Sequence, residues 1–358
     1  MILVASVCVL FALFSLLIFI EDGIPTNYRK VIYWSACAIL IILAGTRKVG
    51  LDPDSIEYEK SFLHPFSDNV FEQEEFTYVF IAQTFNYFTH DVHALFLVYA
   101  LLGVTLKFIA FRRYGDSWLL MVFMYISFYY ELHETCQIRA GVLSACMLLA
   151  VPYIADNQRW KAFLWIAVGT CFHLSGVILL PLLFLGSKPL GKTWKIALAL
   201  SVPISYAIAG FNIALDFASE IPYIGGKLAF YTDIEEKGKI VLSSLNLFGA
   251  LHLLLVFLFY YLLFFADAIT EKCRYFPLML KILAVALFSY ALFSFIPVMG
   301  ERMGSMYRTI MIVLIPTIVY TLRPKWCGVL FLVLIAFIFF NFSLRNMYNV
   351  TFFLPPAN

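Results

Sequence analysis

The stretch ILVASVCVLFALFSLLIFI, from Ile2 to Ile20, decides the fold class of this chain. It holds no charged residue, and its length is close to the roughly 20 apolar residues that a helix needs to cross a bilayer. No basic segment precedes it, as a cleaved signal peptide would require. We therefore expect Ile2 to Ile20 to be a first membrane span.

Apolar stretches of similar length recur along the whole chain. They run from Val31 to Thr46, Val92 to Phe111, Ser117 to His133, Ile138 to Ala155, Thr193 to Phe211, Val241 to Ala266, Pro277 to Val298, Met306 to Leu322 and Trp326 to Ser343. Two more are harder to interpret: Phe76 to Phe88 is short for a span, and Ala162 to Leu185 is interrupted around Gly169 to His173. The pattern predicts an all-α polytopic membrane protein with a bundle of about 10–12 transmembrane or re-entrant helices.

The composition agrees with this fold class and excludes several functions. The 358 residues are 62% hydrophobic and 13% charged, with a mean hydropathy of +0.87. Soluble domains are typically about 25% charged, so this is not a soluble domain with an anchor. The net charge of +2 gives no basic field of the kind that attracts nucleic acid. No zinc-ligand spacing, Gly-rich phosphate loop or nucleophile elbow stands out, so we predict no cofactor.

The distribution of Lys and Arg predicts the orientation, because these residues concentrate in short cytoplasmic loops. The cytoplasmic set is Arg29-Lys30, Lys107 with Arg112-Arg113, Arg159 with Lys161, Lys188 to Lys195, Lys272 with Arg274, and Arg323 with Lys325. Acid-rich loops at about 47–75 and 212–240 are then external, within a single domain that covers residues 1–358. This orientation requires that Phe76 to Phe88 does not cross and that Ala162 to Leu185 enters and returns on the cytoplasmic side. The alternative is a single crossing at Ala162 to Leu185.

Charges are scarce in this chain, so the places where they gather are candidates for function. Arg47 and Asp52 open the first external loop, and Glu75 ends it at the mouth of an apolar segment. A carboxylate that enters low dielectric is costly unless it is paired, so Glu75 is a candidate general base with a raised pKa. The alternative is a helix N-terminal acid that interacts with the macrodipole. Asp52 and Asp54 form an Asp-x-Asp pair that suits a divalent metal, although the intervening proline also favours an ordinary turn.

Two later residues add an arginine and a histidine to the candidate site. Arg139 opens the apolar stretch at Ile138, and arginine suits phosphate because its fork makes bidentate, charge-assisted bonds. The alternative is an arginine that snorkels at a helix end. His173 lies deep in an apolar stretch, where an ionisable group is a functional candidate by default, although a lone histidine there is often structural. His133 lies shortly before Arg139 and is expected to share its membrane face.

A third group of charges occurs late in the chain, at Glu301, Arg302 and Arg308. The predicted topology puts them on an external turn, where the positive-inside tendency argues against two arginines. An anionic ligand such as a lipid diphosphate would explain their presence there. In the alternative reading, Glu301 simply neutralises one arginine.

The order of these residues resembles a known family. Arg47-x-x-Gly50-x-Asp52 with Tyr58, then Glu75-x-x-Tyr78, then Ile138-Arg139 at a helix start, then Phe172-His173-x-Ser175 resemble the EpsG-like branch of the Wzy polysaccharide polymerases. The resemblance covers roughly residues 40 to 185, and the C-terminal half resembles the family in hydropathy and in its late arginines. The chain departs from the pattern at Ala140, where the family often has Gln, and at Leu51, where it often has Thr.

The resemblance implies an inner-membrane glycosyltransferase with a GT-C-like fold and an active site facing the periplasm. Such enzymes move a growing glycan from undecaprenyl diphosphate to the next lipid-linked repeat unit, next to a chain-length regulator and a flippase. We expect the base among Glu75, His173 and Asp52, and diphosphate binding at Arg139, Arg302 and Arg308, with Arg47 next. Acceptor or sugar binding is assigned to Tyr58, Tyr78, His133 and Gln137. A lipid-linked oligosaccharide flippase and an O-antigen ligase of similar fold remain as alternatives.

Overall fold

The computed structural model describes residues 2–66, 75–211, 245–295, 297–348 and 350. Within these ranges the chain is helical and has no β-strand. Seven described helical segments are long and apolar enough to cross a membrane, and four shorter apolar helices accompany them. One of the seven, Met299–Tyr320, is a run of consecutive shorter helical elements. The prediction of an all-α polytopic membrane protein is confirmed. The predicted loop at 212–240 lies outside the described residues, as does most of the segment just before Glu75.

The described residues form fifteen α-helices. They are α1 (Ile2–Ile20), α2 (Thr26–Gly45), α3 (Ser55–Leu63), α4 (Phe76–Asn86), α5 (His93–Phe111), α6 (Trp118–Phe128), α7 (Ile138–Ala155), α8 (Arg159–Phe172), α9 (Lys192–Gly210), α10 (Ala250–Phe264), α11 (Ala266–Thr270), α12 (Phe276–Leu292), α13 (Pro297–Arg308), α14 (Met311–Leu314) and α15 (Lys325–Tyr348). A π-helical segment (Glu131–Cys136) and 3₁₀ segments (Glu21–Gly23, Leu174–Phe184 and Ile315–Tyr320) connect them.

Several predicted spans are interrupted where polar residues occur. The predicted stretch from Ser117 to His133 ends early, because α6 stops at Phe128 and the π-helical segment follows. The stretch from Ala162 to Leu185 is broken at His173, whose backbone is extended (φ −153°, ψ 116°) between α8 and a 3₁₀ segment. The charged group around Arg308, predicted on a turn, is helical and belongs to α13. By contrast, α1 and α7 begin and end at the predicted residues.

The chain forms two compact units. Unit 1 comprises residues 1–187, 271–275 and 311–358, and unit 2 comprises residues 188–270 and 276–310. In unit 1, α7 is almost entirely buried and packs against α5 and α8. In unit 2, α12 packs against α9, α10 and α13. Each unit is described separately below.

Two glycines allow close approach around the π-helical segment of unit 1. A Cβ atom on Gly141 would lie 2.3 Å from the His133 carbonyl oxygen, and one on Gly103 would lie 2.4 Å from Glu134 Oε2. Small residues let helix backbones approach closely inside a membrane bundle, where packing and interhelical hydrogen bonds hold helices together. The glycines therefore create the space in which the polar side chains of this segment are buried.

A fully buried ion pair fills that space. Lys107 Nζ lies 2.6 Å from Glu134 Oε1 and donates a hydrogen bond to the Gly141 carbonyl oxygen at 2.7 Å. The hydroxyl of Tyr125 donates to the same carboxylate at 2.7 Å. The expectation that Lys107 belongs to the charges of a cytoplasmic loop is therefore wrong. Lys107 lies inside α5 with no exposed surface, so it contributes nothing to the loop charge balance.

Replacing Lys107 by methionine should therefore destabilise the fold by about 3–5 kcal/mol, because Glu134 would stay buried without its cation. Adding Glu134→Gln should restore part of this stability, since a neutral pair no longer carries an uncompensated charge. The thermal midpoints of the purified variants in one detergent measure both effects. If Lys107→Met alone had the same thermal midpoint as the native protein, this role of the ion pair would be contradicted.

Candidate functional site

Three of the predicted residues meet in unit 1. Arg139 Nη1 donates a hydrogen bond to Glu75 Oε2, and His173 Nδ1 lies 2.7 Å from Glu75 Oε1. The residues are 64 and 98 positions from Glu75 in sequence, so only the tertiary fold brings them together. Their side chains retain 19–23% of their exposure. The carboxylate therefore bridges a guanidinium and an imidazole that a ligand can still reach.

Contacts of α4 hold Glu75 in this position. Glu75 is the N-cap residue of α4 with an extended backbone (φ −69°, ψ 148°), yet its side chain makes no capping hydrogen bond. The hydroxyl of Thr77 donates to the Cys171 carbonyl oxygen at 2.6 Å, which fixes the start of α4 beside the end of α8. The hydroxyl of Tyr78 donates to the Tyr58 carbonyl oxygen at 3.1 Å and ties α4 to α3. The carboxylate is thus turned away from its own helix and towards Arg139 and His173.

Arg139 belongs to the first turn of α7, and aromatic rings surround its guanidinium. Its Cζ lies 5.6 Å from the ring centroid of Tyr58 and 5.5 Å from that of Tyr78. Both rings are buried, so they limit the orientations of the side chain. The start of α7 also carries the positive end of the helix dipole, which favours anions. The positive charge of the Arg139 side chain and the positive end of the α7 dipole therefore lie together, and both favour an anion.

The electrostatics of Glu75 differ from the expectation. Burial alone would raise the pKa of its carboxyl group, but the hydrogen bond from His173 and the charge of Arg139 outweigh burial and lower the pKa to about 2. The expected raised pKa of Glu75 is therefore wrong, because the paired cation was not visible in the local sequence. A carboxylate with such a low pKa is a poor proton acceptor near neutral pH. Its chemistry here is to orient and compensate the two basic side chains.

The lowered pKa of Glu75 predicts a pH-dependent stability. The ordinary value is 4.5 and the folded value is about 2, so the unfolded chain binds a proton more readily between these limits. The stabilisation is fully present above about pH 4.5 and is lost as the pH falls towards 2. We expect the native protein to have a higher thermal midpoint than Glu75→Gln at about pH 6. This difference should become smaller as the pH falls to about 3, inside the window between the two pKa values. A difference that stays constant with pH would show that the ion pair does not act in this way.

The bond to Glu75 also fixes the form of the His173 ring. An ionised carboxylate only accepts hydrogen bonds, so the proton of a neutral imidazole must lie on Nδ1. The other nitrogen, Nε2, is then the basic atom, and no hydrogen bond to it occurs among the described residues. A carboxylate that holds Nδ1 while Nε2 takes a proton is the arrangement by which hydrolases activate a hydroxyl.

Arg47 and Asp52 lie apart from this exposed constellation. Arg47 Nε donates to Asp52 Oδ2 at 3.1 Å, and neither side chain is exposed. Asp52 Oδ1 accepts the backbone N–H groups of Asp54 and Ser55 at the start of α3, at 3.1 and 2.9 Å. Both carboxylate oxygens are therefore used by the protein. No cluster of metal-ligating residues occurs in the described part of the chain, and this carboxylate does not fit a metal ligand in its present bonding.

The remaining predicted residues are distributed as follows. His133 is buried, stacks on Tyr129 and lies 3.1 Å from the Ser144 hydroxyl oxygen through Nδ1. Gln137 is the N-cap residue of α7, two positions before Arg139. Arg302 is exposed on α13 in unit 2, where Arg308 Nη2 donates to Glu301 Oε1 at 2.7 Å. The ion pair between Glu301 and one arginine, which was the alternative reading of this group, thus occurs within α13.

Sequence reasoning missed residues both in the site and outside it. Thr77, which positions Glu75, carries no signal of its own, because only the fold reveals its bond to Cys171. Outside the site, Lys107 and His252 did carry a signal, since each is an ionisable residue inside an apolar stretch of the sequence. The π-helical segment before α7 was also missed, although such segments are often found at functional sites.

Comparisons with known proteins add a family to this geometry. A model of the EpsG family matches residues 30–355. The amylovoran biosynthesis protein AmsC of Erwinia amylovora is 23% identical over 289 residues, which are 75% of this chain and 73% of that protein. No solved structure matches the chain. The range of the family match includes Glu75, Arg139 and His173 and also the late arginines of α13.

Proposed function

The chain belongs to the EpsG family, and from that premise we propose that it is a polysaccharide repeat-unit polymerase. In this proposal it transfers a growing glycan from undecaprenyl diphosphate to the next lipid-linked repeat unit, at the periplasmic face of a bacterial inner membrane. The name of the relative from Erwinia amylovora, an amylovoran biosynthesis protein, supports a role in making a polysaccharide. The multi-pass fold supports a substrate that is itself anchored in the membrane.

The constellation of Arg139, Glu75 and His173 is the observation that carries the proposal. In the reaction, the acceptor hydroxyl oxygen forms a bond to the anomeric carbon of the donor glycan. The bond from that carbon to the diphosphate oxygen breaks, and undecaprenyl diphosphate leaves with the bonding electrons. His173 Nε2 takes the proton of the acceptor hydroxyl, and Glu75 holds the ring from Nδ1. Arg139 stabilises the negative charge that develops on the leaving diphosphate.

The other predicted residues receive roles according to their charge and burial. Arg302 and Arg308 of unit 2 are proposed to bind diphosphate, because both are cations of α13; Arg302 is exposed, and 13% of the Arg308 side chain is exposed. Gln137, two positions before Arg139, is proposed to contact the acceptor or its sugars, and the buried rings of Tyr58 and Tyr78 are proposed to hold the Arg139 guanidinium in place. Arg47, Asp52 and His133 are buried, which favours a role in holding the site rather than in contacting substrate. No metal is part of the proposed mechanism.

A deletion strain tests the proposed function. Without the gene, cells should still display single glycan repeat units but no polymer, and the native gene on a plasmid should restore the polymer. If the protein were a flippase, the deletion would remove surface repeats altogether. If it were a ligase, polymer would still form and would remain on its lipid carrier. Either of the last two outcomes would replace the proposed activity.

A further inference from the structure

A second polar feature occurs in unit 2, at the start of α10. His252 is only 5% exposed, and neither ring nitrogen has a hydrogen-bond partner among the described residues. Buried polar atoms are almost always hydrogen-bonded, so a histidine with both nitrogens unsatisfied requires an explanation. His252 takes no part in the Glu75 constellation, which lies in unit 1.

The ring of His252 and the guanidinium of Arg308 both contact Tyr290. The His252 ring stacks on Tyr290, with centroids 4.6 Å apart and planes at 22°. The guanidinium of Arg308 lies 5.1 Å from the centroid of the same tyrosine ring. Gly304 makes room for this contact, because a Cβ atom there would lie 3.1 Å from Tyr290 Cδ2. An imidazole and a guanidinium are therefore held against one aromatic ring.

The backbone at this point also favours an anion. Helix α10 has 15 residues, and its N-cap is Gly249, which has no side chain to bond the first backbone N–H groups. The first helical hydrogen bond runs from the Leu253 N–H to the Gly249 carbonyl oxygen, at 2.9 Å. The N–H groups of residues 250–252 precede it at the positive end of the helix dipole. Side chains in a helix lean towards its N-terminus, so the His252 ring points to the same end.

We propose that His252, the N-terminal turn of α10 and Arg308 form a binding site for a phosphate group. The helix start and the imidazole supply hydrogen-bond donors, and the guanidinium supplies the charge. Glu301 already accepts a bond from Arg308, but its side chain is 52% exposed, so a phosphate can take its place. The identification of the ligand as a lipid-linked diphosphate rests on the proposed function. The phosphate chemistry itself does not.

Gly249 allows a test that leaves the packing of His252 unchanged. Gly249→Asp places a carboxylate at the N-cap, where it caps the helix and also repels a phosphate. Gly249→Asn caps the helix with a side chain of the same size and no charge. A Cβ at this position would lie 3.2 Å from the Asn246 carbonyl oxygen, so this backbone must shift by a few tenths of an ångström, while the backbone φ of −60° is ordinary. Asp and Asn meet the same contact and both cap the helix, so we expect the two variants to be equally stable to heat.

The probes are inorganic pyrophosphate and farnesyl diphosphate, titrated into the full-length protein in neutral detergent. Gly249→Asp should bind them about tenfold more weakly than Gly249→Asn. His252→Phe, which keeps the stacking on Tyr290 but removes both nitrogens, should weaken binding by about tenfold. His90→Phe is the matched control, because His90 is exposed and lies in unit 1, and it should bind like the native protein. Equal affinity in Gly249→Asp and Gly249→Asn would overturn the proposal, even if His252→Phe failed to fold.

The two probes separate the possible sources of the phosphate. Binding of farnesyl diphosphate but not pyrophosphate indicates a lipid-linked diphosphate, whereas equal binding of both indicates recognition of the phosphate group alone. Competition by phosphatidylglycerol in nanodiscs would instead indicate a phospholipid headgroup. Each of the three results supports the phosphate site at α10 where Gly249→Asp and His252→Phe weaken the binding. Binding that neither variant weakens, or the absence of binding to all three ligands, would refute it. A deletion strain with normal polymer would remove the proposed function but leave these binding results intact.

Discussion

Replacing Arg139 by alanine is expected to lower the rate of glycan polymerisation by about 10²- to 10³-fold. The charge of the leaving diphosphate increases in the transition state, so a cation at that position stabilises the transition state more than the ground state. In cells the variant should yield single repeat units in place of long chains. The measurement is the polymer length on a gel, together with the initial rate of the purified enzyme on a lipid-linked repeat unit.

A lysine at position 139 separates charge from geometry. Lys keeps the positive charge but lacks the planar fork that binds a phosphate through two parallel hydrogen bonds. We expect Arg139→Lys to retain more activity than Arg139→Ala and less than the native enzyme. Arg159→Ala is the matched control, because Arg159 is exposed at the start of α8, and it should leave polymer length unchanged.

Loss of activity in Arg139→Ala has a structural explanation that must be separated from the catalytic one. Removing the guanidinium leaves the partly buried carboxylate of Glu75 with one cationic partner fewer. The double variant Arg139→Ala with Glu75→Gln removes that charge. It should recover thermal stability without recovering polymerisation. Full-length polymer from Arg139→Ala at normal protein levels would exclude Arg139 from the site.

The membrane fold was predictable because the spans depend on local composition. A helix of about 20 apolar residues satisfies its own backbone hydrogen bonds and matches the bilayer thickness. The bounds of α1 and α7 therefore follow from the sequence alone. The interruption around Gly169 to His173 was also expected, and the structure has it at His173. The break after Phe128 was not expected, because hydropathy does not distinguish an α-helix from a π-helical segment of the same residues.

The sequence was sufficient to pick out the residues of the candidate site, but not to show which of them contact each other. Glu75, Arg139 and His173 stand out because ionisable groups in an apolar chain are costly. Their partnership depends on contacts across 64 and 98 residues, which no local pattern encodes. The same limit explains why the pKa of Glu75 was expected to rise. Burial was apparent from its neighbours in sequence, whereas the arginine and histidine that reverse its effect come from α7 and from the end of α8.

Charged residues outside the candidate site show the same limit of sequence-based prediction, because some of them are buried ion pairs. Arg47 and Asp52 are five residues apart, and their charges suggested an exposed motif. In the structure they bond each other and the start of α3, without exposed side-chain surface. The position of Lys107 near the end of an apolar stretch suggested a loop charge, whereas in the structure it is buried and paired with Glu134. A charge in a membrane protein therefore indicates either function or a buried partner, and only tertiary contacts distinguish the two.

Replacing His173 by alanine is expected to lower kcat by about 10²- to 10⁴-fold, the range for loss of a general base. The KM for the lipid-linked acceptor should change little, because in the proposed mechanism His173 acts only on the proton that moves during the reaction. Glu75→Gln should lower kcat by a comparable factor, since a glutamine amide can donate to Nδ1 and leave the proton on Nε2, which can then no longer act as the base. A large rise in KM with an unchanged kcat would indicate that His173 binds substrate and does not act as the base.

Added imidazole distinguishes a base from a structural residue. If His173 only supports the fold, free imidazole cannot replace it, and the activity of His173→Ala stays low at every concentration. If it transfers the proton, imidazole should enter the space left by the ring and restore part of kcat in proportion to its concentration. The side chain of His173 retains 23% of its exposure, so a small molecule has a route to this position. Arg139→Ala is the control, because imidazole lacks the charged fork that binds the diphosphate, and we expect no rescue of that variant.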